Sequence, residues 1–215
     1  MYLEFCNYNT SHFKKVEEEI STIFDSISLG FSGVAIPLHI LKHVSTYLQD
    51  TEIDVATCVD FPYGLSDSKV RAHETLIALK NAADFIDIPL NPYFIKDRNY
   101  VKAEKEIKGL LRMCNDYGSS LRVIIHHNLN YLNESIAISM FLKECGVEYI
   151  IPASGFHNDD IFDNILTCSA ISNKVDLKTV CNGYIWLEKQ FNTAINSNIS
   201  ILRLYSLNLI STFSV

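Results

Sequence analysis

The sequence predicts a (β/α)8 barrel of the α/β class, forming one domain over residues 1–215 with a reduced last helix. Three observations carry this. Eight short β-rich runs alternate with longer helix-patterned runs along the whole chain. The β-rich runs are nearly continuous in apolar character, as strands buried on both faces of a parallel sheet are. The first run leads into NYNTSHF without a glycine, whereas an open doubly wound sheet carries a glycine-rich loop at that point. At 215 residues the chain is near the lower size limit for such a barrel, yet long enough to bury a large core.

The elements follow in order. YLEFCN (2–7) is the first strand, and TSHFKKVEEEISTIFDSI (10–27) the first helix. That helix opens on a Ser/Thr cap and places Phe13, Val16, Ile20 and Ile23 three and four residues apart. SGVAIP (32–37) precedes HILKHVSTYL (39–48), and VATCVDF (55–61) precedes SDSKVRAHETLIALKNA (66–82). FIDIPL (85–90) leads to NYVKAEKEIKGLLRMCNDYG (99–118), and LRVIIHH (121–127) to LNESIAISMFLKECG (132–146). Gly118 and Gly146 mark C-terminal helix stops. VEYIIPA (147–153) is followed by DDIFDNILTCSAI (159–171), with His157, Asn158, Asp159 and Asp160 at its N-terminal cap. VDLKTV (175–180) is followed by GYIWLEKQFNTAIN (183–196). After ISILRLY (199–205) only SLNLISTFSV remains, so the last helix is short or missing.

Composition narrows the function. Hydrophobic residues make up 48% and charged residues 20%, the balance of an ordered globular chain. The net charge of −7 and the absence of a basic stripe argue against a nucleic-acid partner, since such binding runs on Lys/Arg contacts to phosphate. The one dense charge run, KKVEEE at 14–19, mixes both signs and reads as a solvated helix face. No signal peptide opens the chain and no apolar segment is long enough to span a bilayer. The six cysteines, at 6, 58, 114, 145, 168 and 181, form no CxxC pair. Reduced thiols in a cytoplasmic protein without a membrane partner are therefore expected.

In a barrel the site forms at the C-terminal ends of the strands. That places Cys58 and Asp60 on strand 3, Asp87 on strand 4, His126 and His127 on strand 5, Ser154 after strand 6 and Lys178 on strand 7. Asp87 and Lys178 are charges inside apolar strands, and an unpaired charge there costs several kcal/mol. Either they point outward to solvent, or they meet in the barrel mouth. Of His126 and His127 only one can face inward, because adjacent strand residues point to opposite faces. A zinc-like site at His126, Asp87 and Cys58, with a metal-assisted reaction in the same pocket, is a further alternative, but no ligand spacing supports it and the expectation is no metal.

VATCVDFPYGLSDSKVRAHETLIAL and the AADFIDIPLN that follows it strongly resemble the deoxyribose-phosphate aldolase family. The likeness rests on Phe61-Pro62-x-Gly64, on Glu74 thirteen residues after Phe61, and on Ala83-Asp84 with Asp87. It continues more thinly through LRVIIHHN, CGVEYIIPASGF and VDLKTVCNG, covering roughly residues 29–190. The resemblance implies an aldolase-type barrel working without a cofactor. In that family a strand-6 lysine forms an imine with an aldehyde, a strand-7 lysine depresses its pKa, and a strand-4 aspartate relays protons. By position the aspartate is Asp87 and the strand-7 lysine is Lys178. The imine lysine falls on Ile151, which cannot form an imine.

Other departures point the same way. His126 stands where the family has a glutamate, Cys181-Asn182-Gly183 replaces a Gly-Gly turn, and LRLYSLN replaces the strand-8 phosphate loop. Only Ser154-Gly155 survives among the glycine turns that approach a phosphate closely. The first expectation is therefore a degenerate, non-catalytic or diverged barrel that binds a small aldehyde- or sugar-type ligand. Cys58, Asp60, Ile151, Ser154, Gly155, Asn182 and Gly183 would line its site. The alternative is an active carbon–carbon lyase with Lys178 as imine residue, Asp87 as proton relay and His126 as acid/base. On either reading Asp87, Ile151 and Lys178 face inward near the C-terminal end, with a homodimer as a candidate assembly.

Overall fold

The computed structural model describes residues 2–8, 15–156 and 160–208. Eight parallel strands close into a barrel in sequence order: β1 (Tyr2–Cys6), β2 (Gly33–Ile36), β3 (Asp54–Cys58), β4 (Phe85–Pro89), β5 (Ser120–Ile124), β6 (Tyr149–Ile151), β7 (Lys178–Asn182) and β8 (Ile201–Leu204). Closure is made by β1 against β8, with Glu4 beside Arg203 and Phe5 beside Leu204. The helices are α1 (Val16–Ser28), α2 (Leu38–Leu48), α3 (Ser68–Lys80), α4 (Pro92–Lys96), α5 (Tyr100–Asp116), α6 (Leu132–Cys145), α7 (Ile161–Val175) and α8 (Glu188–Ile195).

The two-residue period of the strands sorts their side chains into two layers. Ile86, Val123, Ile150, Cys181 and Leu202 pack with helix residues such as Ile23, Leu41, Ile107, Leu142 and Ile171 between sheet and helices. Their strand neighbours Ile124, Ile151, Val180 and Ile201 form a separate interior cluster with Tyr2, Phe61 and Tyr149. Cys6, Ala35 and Ala56 make a second interior cluster with Tyr8, Phe85 and Tyr205. The small residues on β2 and β3 leave room for the large ones on neighbouring strands, as a filled barrel requires.

The boundaries depart from the sequence reading where they matter for the site. The seventh strand begins at Lys178, not at 175, because α7 runs on to Val175 and Asp176 then turns the chain with φ +57°. The last described helix begins at Glu188 and not at Gly183, so residues 183–187 form a loop over the mouth end of β7. The short helix α4 was not expected; Asn91 caps it by accepting from the Tyr93 N–H at 3.0 Å, with Pro92 in its first turn. Asp160 caps α7 by accepting from the Phe162 N–H at 2.7 Å. The other cap residues expected there, 157–159, lie outside the described residues. So do the Thr10-Ser11 cap and the segment from 209 that would carry the last helix.

Candidate functional site in the barrel mouth

Four charged side chains fill the middle of the barrel. Arg122 on β5 donates from Nε to Asp87 Oδ1 at 2.5 Å and from Nη2 to Glu4 Oε1 at 3.0 Å. Arg203 on β8 donates from Nε and Nη2 to Glu4 Oε2 at 2.9 and 2.7 Å, and from Nη2 to Asp87 Oδ2 at 2.7 Å. The Tyr8 hydroxyl adds a third donor to Asp87 at 3.2 Å. All four charged residues are 0–1% exposed. Two carboxylates against two guanidiniums make a neutral square, which is what permits charges at such depth. The flat faces of the guanidiniums are covered too: Arg122 lies 4.5 Å over the Phe85 ring and Arg203 5.3 Å over Tyr8.

Burial alone would push the Asp87 carboxyl up, but the charges of Arg122 and Arg203 and their hydrogen bonds outweigh it and hold it below the usual carboxylate range. Asp87 is thus a fixed anion. Its expected partner is not Lys178. Lys178 opens β7 beside Tyr149 in the register, at the N-terminal end of the barrel. Its side chain is 57% exposed, 3.9 Å from Glu148 and 3.2 Å from the Tyr149 hydroxyl, which it approaches from above the ring. The hydrogen bond to Tyr149 raises the Lys178 pKa, so the amine stays an ammonium. The expectation that Asp87, Ile151 and Lys178 meet near the C-terminal end is corrected for Lys178. The later start of β7 leaves it at the bottom of its strand, and the aliphatic Val180 joins Ile151 in the interior. Ile151 is fully buried there, as expected.

The other residues named from the sequence divide between the mouth and its supporting loops. Cys58 ends β3 close to Asp87, and burial first, then that carboxylate, push its thiol well up. Asp60 takes φ +50° and spends its carboxylate on the loop: Ser66 donates from Oγ at 2.7 Å and from its N–H at 3.0 Å, and Arg71 pairs with it at 3.2 Å. His126 is buried in left-handed backbone at φ +50° beyond β5. His127 turns to α7, where Nε2 meets Asn164 Oδ1. Among the described residues no group of three or more His, Cys, Asp or Glu is placed to hold a metal ion. All six cysteines are free thiols, and no helix of the described residues is long and apolar enough to cross a membrane.

Ser154, Gly155, Asn182 and Gly183 do come together, around a residue that the sequence reading did not single out. Tyr205, just past β8, donates its hydroxyl to Asn182 Oδ1 at 2.6 Å. Asn182 donates from Nδ2 to the Ala153 carbonyl at 3.0 Å, and Asn164 donates to the Asn182 carbonyl at 2.7 Å. The Tyr205 hydroxyl lies against Gly155, at φ +74°, where any Cβ would collide with it. A Cβ on Gly183 would meet Asn164 Nδ2 at 2.9 Å. Ser154 is fully buried and accepts from the Phe156 N–H at 3.2 Å. The glycines are present, but side chains of the protein itself occupy the space they open.

Comparison with known proteins bears on the sequence and the fold. No family model matches the chain. A deoxyribose-phosphate aldolase of Metamycoplasma hominis is 29% identical over 167 residues, spanning 77% of this chain and 75% of that one. A protein of the same name from Aciduliprofundum boonei is 28% identical over 59% of this chain, and the match spans only 57% of its length. Among solved structures, a protein described as a deoxyribose-phosphate aldolase from Coccidioides immitis superposes with a TM-score of 0.81 at 18% identity, covering 94% of this chain and 79% of that one. The tetrameric deoxyribose phosphate aldolase from Aeropyrum pernix gives 0.80 at 13% identity, over 94% and 84%. In sequence this chain is similar to deoxyribose-phosphate aldolases, and its barrel superposes on theirs.

Proposed function

We propose that this aldolase-like barrel binds a small sugar- or aldehyde-type ligand without forming an imine. One observation carries the reading: every lysine among the described residues is exposed, while the interior positions Ile151 and Val180 are aliphatic. An imine-forming lysine must reach the substrate and be neutral near pH 7, which requires an apolar pocket or a neighbouring cation. Lys178 has neither, and its pKa moves in the wrong direction. Asp87, held by two guanidiniums, is poorly suited to relay protons. The resemblance to aldolases supports the ligand class, the free thiols are compatible with a cytoplasmic location, and a homo-oligomer such as a dimer is part of the reading.

The test is borohydride trapping. The protein is incubated with acetaldehyde or with deoxyribose 5-phosphate, reduced, and read by intact mass and peptide mapping beside a Lys178→Ala control. The expected result is no site-specific adduct and no glyceraldehyde 3-phosphate above that control. A stoichiometric adduct on one lysine, or turnover that Lys178→Ala abolishes, would restore the lyase reading.

A further inference from the structure

The mouth carries an aromatic stack outside the residues to which the aldolase resemblance gives a role. Tyr205 stacks on Tyr184, with centroids 4.7 Å apart and planes at 22°. Tyr184 in turn stacks on Trp186 at 5.5 Å and 11°. The three rings lead from the Gly155–Asn182 contact outward along the 183–187 loop to an indole that is 72% exposed. Phe156, from the neighbouring loop after β6, is half exposed; it meets Phe61 edge-on at 5.7 Å, and Phe61 packs on Tyr8.

The charge balance of the mouth is equally specific. Arg122 and Arg203 are matched one for one by Glu4 and Asp87. The turns at Gly155 and Gly183 are packed by Tyr205 and Asn164. Among the described residues both buried guanidiniums are already charge-matched and the Gly155 and Gly183 turns are filled, so an arriving phosphate would gain little for its lost hydration beyond the second Nη atoms of Arg122 and Arg203.

We propose that the Trp186 face of this stack binds an uncharged planar ring, extending the series Tyr205–Tyr184–Trp186 by one more layer. A near-parallel aromatic series ending on a mostly exposed indole suits a flat π-system, and a neutral mouth suits a ligand without a phosphate. This inference rests on the reading of the mouth as a binding site and goes beyond it, adding at its rim a place for a planar ring beside the sugar- or aldehyde-type ligand.

Trp186 is the only tryptophan of the chain, so its fluorescence reports on this site alone. Adenosine and adenosine 5′-monophosphate, the same ring without and with a phosphate, are titrated against the full chain, with methyl β-glucoside as a non-planar ring. Adenosine is expected to quench Trp186 saturably and to bind more tightly than the monophosphate or the glucoside. Tyr184→Ala, an exposed-loop change checked for folding by its melting temperature, removes the ring that holds the Trp186 indole in the stack and is expected to weaken adenosine about five- to tenfold, the scale of one aromatic pair. Calorimetry on Trp186→Ala should show no adenosine binding. Tighter binding of the monophosphate, tighter binding of the glucoside, no saturable quench, or no effect of Tyr184→Ala would each overturn the proposal. Borohydride trapping is independent of these readouts, so an adduct there would sink the imine-free reading while leaving the ring platform to be judged by fluorescence.

Discussion

Arg122 and Asp87 face each other across neighbouring strands at 2.5 Å, both fully buried. Their strands are in register at these residues, so the contact is built into the β4–β5 ladder. Asp87 is the position that the aldolase resemblance assigns to proton relay. Here it is one corner of a square whose other corners are Arg122, Glu4 and Arg203. A carboxylate with three donors and two adjacent cations has no accessible neutral state near pH 7. The barrel therefore uses the residue for cohesion.

Breaking that square should be costly. Asp87→Ala leaves two buried guanidiniums sharing Glu4, and removing one partner of a buried pair typically costs about 3–5 kcal/mol. Urea denaturation at neutral pH should show a loss of that size. Combining Asp87→Leu with Arg122→Met removes one charge of each sign, and should recover much of the loss. If Asp87→Ala unfolds at the wild-type midpoint, the square does not contribute to stability.

Acid should expose the same interaction, with a definite sign. The folded pKa of Asp87 is depressed by Arg122 and Arg203, so its contribution is fully present above the unfolded value of about 3.9. It is lost as pH falls from there through the folded pKa. Urea midpoints taken from pH 7 to pH 2.5 should fall more steeply for the wild type than for Asp87→Asn, which has no such proton to take up. Parallel pH profiles for the two proteins would remove Asp87 from the account of acid sensitivity.

The barrel and its strands were legible in the sequence, because strands buried on both faces announce themselves by apolar runs, whereas the inward positions of Asp87 and Ile151 came from the register that the aldolase resemblance implies. The partners of Asp87 were not singled out, though the signal was present. Glu4 in YLEFC, Arg122 in SLRVI and Arg203 in ILRL are each a charge inside a short apolar strand, as Asp87 is in FIDIP. The same physical reason that drew attention to Asp87 applies to all of them. Lys178 misled because VDLKTV reads as one strand from its first valine, while the helix claims Val175 and shifts the strand start to Lys178 itself. Tyr205 lies just past its strand and carries no charge, so nothing in the local pattern marked it as the side chain that fills the Gly155 turn.

Tyr205 gives a prediction that separates packing from ligand contact. Tyr205→Phe deletes the hydroxyl that donates to Asn182 and should cost about 1 kcal/mol, the net worth of a typical hydrogen bond. Gly155→Ala should cost more, because it adds strain at φ +74° to a collision with the Tyr205 hydroxyl. Thermal melts of both variants and of the double variant would show whether the two effects couple. Strict additivity would mean that Tyr205 and Gly155 do not share the contact described.

The last prediction concerns Ile151→Lys. The side chain at 151 is fully buried among Ile124, Val180 and Ile201. An ammonium placed there loses its hydration without gaining an anion in that cluster, so its pKa should fall toward neutrality. Lys178 takes no part, since it projects at the opposite end of β7; desolvation alone does the tuning. The variant should therefore form a reducible imine with acetaldehyde, with the added mass mapped to residue 151. The yield should rise with pH as the remaining ammonium deprotonates. Stability should drop by roughly 2–4 kcal/mol, combining overpacking with the burial of a polar terminus. Deoxyribose 5-phosphate should label residue 151 no better than acetaldehyde does, because Tyr205 and Asn164 still occupy the turns at Gly155 and Gly183. A folded Ile151→Lys protein that gives no adduct at 151, at any pH up to 9, would mean that small aldehydes do not reach the interior of this barrel. The mouth would then be closed to the ligand class proposed for it.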